Sequence, residues 1–255
     1  MANIIAIANQ KGGVSKTTST FNISTALANY GKNVLMIDLD PQASLTISCG
    51  IEPYEIQKNL ANCLDQKKSK YYIPVEECII KLKENLSIVT SSIDLASLEM
   101  EMLSWTSREK CLDRMLSSIQ NQYDYIIVDC PPQLSMLTLN ALSAASYVLI
   151  PCKTDYMAFR GLENLVNTIA DVQELLNPNL KIMGVIATLF NSSIKDDKEV
   201  LKLLEKKYKV LSVIKLLAAA KKGVCEGIAT VDKFPSSQIA IAYNGLAKKI
   251  IEDFK

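Results

Sequence analysis

Short apolar runs alternate along this chain with longer segments whose apolar residues recur at helical spacing, the pattern of a largely parallel α/β sheet. The runs at 4–8, 34–37, 86–89, 125–128, 147–150 and 182–188 are rich in Ile and Val without polar alternation, as expected of strands covered on both faces. Helices are predicted at about 16–30, 94–104, 107–121, 137–145, 159–176, 196–208 and 238–253, with Gly31 stopping the first. Residues 50–85 give no clear reading, and no repeat or low-complexity segment is evident. The fold class predicted is α/β: one domain over 1–255, a mostly parallel twisted sheet with helices on both faces. Such open sheets bind ligands beyond the carboxyl ends of their strands, so the residues after Ala8, Ile37 and Val128 are expected to converge.

Composition removes several alternatives. At 49% hydrophobic and 22% charged the chain is ordinary for a globular protein, and no stretch approaches the roughly 18 uncharged apolar residues of a membrane span. Its first residues lack the basic start and long apolar centre of a secretory signal, so a cytoplasmic location is expected. Seven cysteines, an odd number without a C-x-x-C pair, suit a reducing compartment, where most serve as small core residues. The absence of histidine excludes imidazole general-base chemistry, Ser-His and Cys-His nucleophiles and His-containing zinc sites. The net charge of +1 conceals an asymmetry. Residues 191–255 carry thirteen basic and eight acidic side chains, against fifteen and nineteen before them.

The three strand ends hold the candidate chemistry. After the first strand comes Asn9-Gln10-Lys11-Gly12-Gly13-Val14-Ser15-Lys16-Thr17-Thr18, leading into a helix near Lys16. Gly12 and Gly13 let backbone N–H groups approach phosphate oxygens and the helix start adds positive dipole. Lys16 can reach the β- and γ-phosphates, and Thr17 can offer its hydroxyl to Mg²⁺. After the second strand, Asp38 and Asp40 stand at i and i+2, on one side of an extended chain. After the fourth, Asp129 is followed by Cys130 and two prolines that cannot continue the strand; an apolar strand ending in a carboxylate suits Mg²⁺ held through water. Cys130 reads as a packing residue.

Lys11 through Thr18 resembles the deviant Walker A box of the ParA/MinD/Soj family of P-loop ATPases, with one departure: Ser15 stands where the general P-loop pattern has glycine. The resemblance continues through 86–102, 137–142 and 151–162, segments closer to ParA than to MinD, and covers most of 3–190. It implies ATP and Mg²⁺ as cofactors, with Lys11 crossing a dimer interface to the partner's nucleotide. It also implies that Lys11, Gly12, Gly13, Val14, Ser15, Lys16, Thr17 and Thr18 line the nucleotide with Asp38 nearby, that Asp40 orients the attacking water, and that Thr17 and Asp129 serve the metal. Lys11, Lys16 and Asp40 are thus the expected catalytic set. Asn191 is a candidate adenine contact, with loop capping as its other role.

The implied function is partitioning of plasmid or chromosomal DNA by an ATP-dependent homodimer acting with a ParB-like partner, nucleoid-associated when ATP is bound. The early P-loop leaves no room for an N-terminal helix-turn-helix domain, so DNA binding should be non-specific. Lys195, Lys198, Lys202, Lys206 and Lys209 at helical spacing, with Lys221 and Lys222, are the candidate DNA surface; a solvated helix face is the plainer reading. Two other readings stand beside this one. The first is a MinD-like membrane-positioning ATPase using the apolar stripe Tyr243, Leu246, Ala247, Ile250, Ile251 and Phe254, although a stripe on a final helix usually packs on its own sheet, and no membrane partner is expected. The second is a slow or non-hydrolysing nucleotide-gated scaffold, suggested by Ser15.

Overall fold

In a computed structural model, residues 1–65, 69–216 and 226–254 are described; Lys221, Lys222 and Cys225 lie outside them. The strands are β1 (Asn3–Ile7), β2 (Val34–Asp38), β3 (Ile79–Lys83), β4 (Leu86–Val89), β5 (Tyr125–Asp129), β6 (Tyr147–Lys153), β7 (Lys181–Phe190) and β8 (Val210–Lys215). They form one sheet in the order β3-β4-β2-β5-β1-β6-β7-β8. Every pairing is parallel except β3 with β4. The six predicted strands are present, and the two that the pattern did not predict are the edges. Edge strands are half-solvated, so β3 (Ile-Ile-Lys-Leu-Lys) and β8 carry partly buried positions in place of an unbroken apolar run.

Alternation along each inner strand divides the core in two. Ile4, Ala6, Leu35, Ile37, Ile126, Val128, Val148 and Ile150 enter one apolar cluster, and Ile5, Ile7, Val34, Met36, Tyr125, Ile127 and Leu149 enter the other. Helices cover both. In chain order they are α1 (Lys16–Asn29), α2 (Ser44–Ser48), α3 (Leu60–Leu64), α4 (Val75–Cys78), α5 (Asp94–Met102), α6 (Cys111–Leu116), α7 (Met136–Ala144), α8 (Tyr156–Leu175), α9 (Lys195–Lys207), α10 (Thr230–Lys233) and α11 (Gln238–Asp253). The helix expected over 107–121 shrinks to α6 between two 3-10 turns. There the hydroxyls of Ser117 and Ser118 bond back to the carbonyls of Arg114 and Met115, engaging acceptors at the helix end.

The last helix packs as a core element. Tyr243, Leu246, Ala247 and Ile250 are buried in the second cluster, and the Tyr243 hydroxyl meets that of Ser19 on α1 at 3.0 Å. A close crossing joins distant parts of the chain on this side of the sheet. A Cβ on Gly227 would lie 2.9 Å from Gly50 Cα and 3.1 Å from the Cys49 carbonyl carbon, so the segment after α2 touches the one before α10 backbone to backbone. Both glycines have positive φ, +76° at Gly50 and +69° at Gly227.

Candidate functional site

The loop between β1 and α1 is tied down at both ends by strands further along the sheet. Asn9 Nδ2 donates to the Pro151 carbonyl of β6 at 2.6 Å, while its Oδ1 accepts from Lys11 N at 3.0 Å. At the far end Thr188 of β7 donates its hydroxyl to the Val14 carbonyl at 3.1 Å. Between these ties the loop is open: a Cβ added to Gly12 or Gly13 would find no atom within 4 Å. Ser15 precedes α1 at φ 67° and ψ 34°, in the left-handed region that favours glycine, and its side chain makes no capping bond. Lys16 is buried with its Nζ on the Lys11 carbonyl at 3.2 Å; desolvation pulls its pKa down against the attraction of Asp129.

The carboxylates converge because β2 and β5 are paired in register, which sets Asp38 opposite Asp129. Asp129 Oδ2 accepts from the Thr17 hydroxyl at 2.7 Å, joining the third strand-end motif to the loop. Its Oδ1 accepts from the Thr20 hydroxyl at 3.0 Å, one turn further along α1. Asp38 is fully buried and turned toward α2: its Oδ2 accepts from both the N–H and the hydroxyl of Thr46, at 2.8 and 2.7 Å. Thr46 in turn accepts from Ser91 N beyond β4 at 3.0 Å. Burial raises the Asp38 pKa to about 6, and burial together with the charge of Asp38 raises that of Asp129 to about 7. Asp40 is half-buried at the mouth of the same turn, its Oδ1 held by Gln42 N at 2.9 Å.

An open loop with bare glycines, a buried lysine, a threonine hydroxyl and a desolvated carboxylate form a donor set suited to a phosphate chain and a hard divalent cation. The cation's charge would offset what holds Asp38 and Asp129 above the ordinary carboxylate range. Cys130 is buried with its thiol directed to the Val128 carbonyl, and burial pushes its pKa up, as for a packing residue.

The more distant candidates are placed as follows. Lys11 Nζ lies 3.8 Å from Asp155 Oδ1, and Lys153 flanks the same carboxylate at 3.3 Å. Asn191 Oδ1 accepts from Ser193 N at 2.9 Å, capping its own loop, and Asn191 N donates to Asp197 at 2.7 Å. On α9, Lys198, Lys202 and Lys206 are exposed and make no ion pair among the described residues, whereas Lys195 pairs with Glu199 and Lys209 with Asp253. Five residues that fasten the site carried no sequence assignment: Asn9, Thr20, Thr46, Pro151 and Thr188. Only Thr20 had a readable signal, lying three residues after Thr17 on one helix face.

The sequence profile of an AAA domain family matches residues 2–182. The sporulation initiation inhibitor protein Soj of Bacillus subtilis is 40% identical over 261 residues, covering 98% of this chain and 98% of that protein. Among solved structures, a cobyrinic acid a,c-diamide synthase from Mycobacterium smegmatis with bound ATP analog and magnesium superposes with a TM-score of 0.84 at 32% identity, covering 100% of this chain and 98% of that one. A plasmid partition protein from Borrelia burgdorferi superposes with a TM-score of 0.78 at 26% identity, covering 98% of each chain.

Proposed function

The chain belongs to the ParA/Soj family of P-loop ATPases, and from that premise we propose that it binds and hydrolyses ATP with Mg²⁺ and dimerises around the nucleotide. In this reading the ATP dimer grips DNA without regard to sequence and, with a ParB-like partner, partitions plasmid or chromosomal DNA in the cytoplasm. The observation that carries the reading is the 2.7 Å bond between Thr17 and Asp129 beside an open glycine loop, which unites the two motifs that a nucleotide and its cation require.

Bound Mg²⁺ would supply neutralising charge on the phosphates. The rest falls to this chain's own groups. The open Gly12–Gly13 backbone offers N–H donors to the phosphate chain, and Lys16 turns from the Lys11 carbonyl toward the terminal phosphates. Thr17 and Asp129 would hold the cation. Asp40, fixed by Gln42 N, orients the attacking water, and the clasp of Asp38 on Thr46 anchors the turn that carries it. Lys11 leaves Asp155, a long and half-buried contact, to reach the partner's nucleotide.

One detail bears on a rival reading. The stripe on α11 that a membrane-positioning ATPase would use lies largely in the core. Phosphate release measured with DNA co-sedimentation in ADP, ATP and a slowly hydrolysed analogue tests the proposal. Wild type should release phosphate and pellet with DNA only in ATP or the analogue. Asp40→Ala should stop release while retaining the ATP dimer. Pelleting with anionic liposomes in place of DNA would overturn the partitioning reading, and ATP-gated binding without any phosphate release would establish a scaffold.

A further inference from the structure

Thr20 is fully buried in α1, and its hydroxyl contacts two acceptors. One is the Lys16 carbonyl at 3.1 Å, the local bond back by one turn that a helical threonine commonly makes. The other is Asp129 Oδ1 at 3.0 Å, across 109 residues of sequence, and helix geometry alone does not call for it. Asp129 thus has one hydroxyl on each oxygen, Thr17 on Oδ2 and Thr20 on Oδ1. The two threonines differ in setting. Thr17 is partly exposed at the loop and is the hydroxyl that the phosphate-loop reading gives to the cation, while Thr20 is closed off in the interior.

Resting on the Mg·ATP reading above, we propose that Thr20 is the positioning residue for the metal-site carboxylate: it holds Asp129 through Oδ1 when Thr17 gives up Oδ2 to take the cation. With Thr17 engaged elsewhere, Thr20 is the one hydroxyl among those bonded to Asp129 here that still fixes the carboxylate plane. A buried carboxylate without that bond turns about its terminal torsion, which is broad, and the water between it and the cation loses its fixed acceptor. The division of labour follows from helix spacing. Positions 17 and 20 lie on one face one turn apart, so a single helix presents one exchangeable and one permanent donor to the same side chain.

The test compares Thr20→Val, which keeps the shape and removes the hydroxyl, with Thr20→Ser, which keeps the hydroxyl. The readout is fluorescent-nucleotide binding titrated with Mg²⁺, with nucleotide binding in EDTA as the metal-free control. Thr20→Val should raise the half-saturating Mg²⁺ concentration about tenfold and leave EDTA binding unchanged, and Thr20→Ser should restore the wild-type requirement. An equal Mg²⁺ requirement in wild type and Thr20→Val overturns the proposal, as does a serine variant that fails to rescue, which would mark a packing role. If Thr20→Val does not fold, Thr20→Ala set against Thr20→Ser makes the same comparison. A wild type whose nucleotide binding ignores Mg²⁺ would overturn the Mg·ATP reading itself, an outcome separate from the two above.

Discussion

Ser15 shows how a single residue carries a backbone requirement that its identity resists. At φ 67° it occupies the region where the general P-loop pattern has glycine, and a non-glycine residue there costs about 1–3 kcal/mol. Ser15→Gly should therefore raise thermal stability by about 1 kcal/mol, read as a higher unfolding temperature, less what the freer unfolded chain takes back. If the strain also slows closure of the loop on phosphate, the same substitution should raise the rate of phosphate release; an unchanged rate would confine the strain to the resting protein. At this scale the site was partly legible. Lys16 and Thr17 at the helix start and Asp129 at a strand end are readable by residue type, and Lys11 and Asp40 enter through the resemblance to the family. Asn9, Thr46 and Thr188 are not readable, because their partners are backbone groups and carboxylates brought near only by the sheet order.

Between elements, the register of β2 against β5 forces two carboxylates together in the interior. Asp38 and Asp129 titrate near 3.8 when unfolded and near 6 and 7 when folded, so between those values the folded chain binds more protons. Their contribution to stability is complete below about pH 3.8, declines above it and is lost once pH has risen through 6 and 7. The nucleotide-free protein should accordingly melt at a lower temperature at pH 8 than at pH 5.5 as far as these groups decide it. Asp129→Asn should narrow that difference, and nucleotide with Mg²⁺ should stabilise wild type more at pH 8 than at pH 5.5. Scanning calorimetry at the two pH values checks each outcome. The inner strands were legible because burial on both faces leaves an unbroken apolar run, and the edges β3 and β8 were not, since half-solvated strands share their pattern with loops.

Across the whole molecule the proposed activity needs the nucleotide site to govern a basic surface on α9. Lys198, Lys202 and Lys206 follow one face of α9 at four-residue intervals, free of ion pairs among the described residues. If they contact phosphates, replacing Lys198 and Lys202 with alanine should reduce the slope of log affinity for DNA against log salt by about 2 for each protomer engaged, with ATP-dependent dimerisation intact. An unchanged slope would leave α9 as a solvated face. The sequence could place these lysines on a helix but not say which were already committed; the pairing of Lys195 and Lys209 with carboxylates is visible only in the folded chain. The contact between Gly50 and Gly227 has a bearing on the history of the molecule. It fastens the segment following the Asp38–Thr46 clasp to the C-terminal part of the chain through two backbones: a side chain on Gly227 would collide with Gly50, one on Gly50 would press on Gly227, and both residues have positive φ, so neither position varies freely. A lineage that lost one glycine would have lost the contact already, and the second would then drift without further penalty; the two glycines should be inherited together or abandoned together.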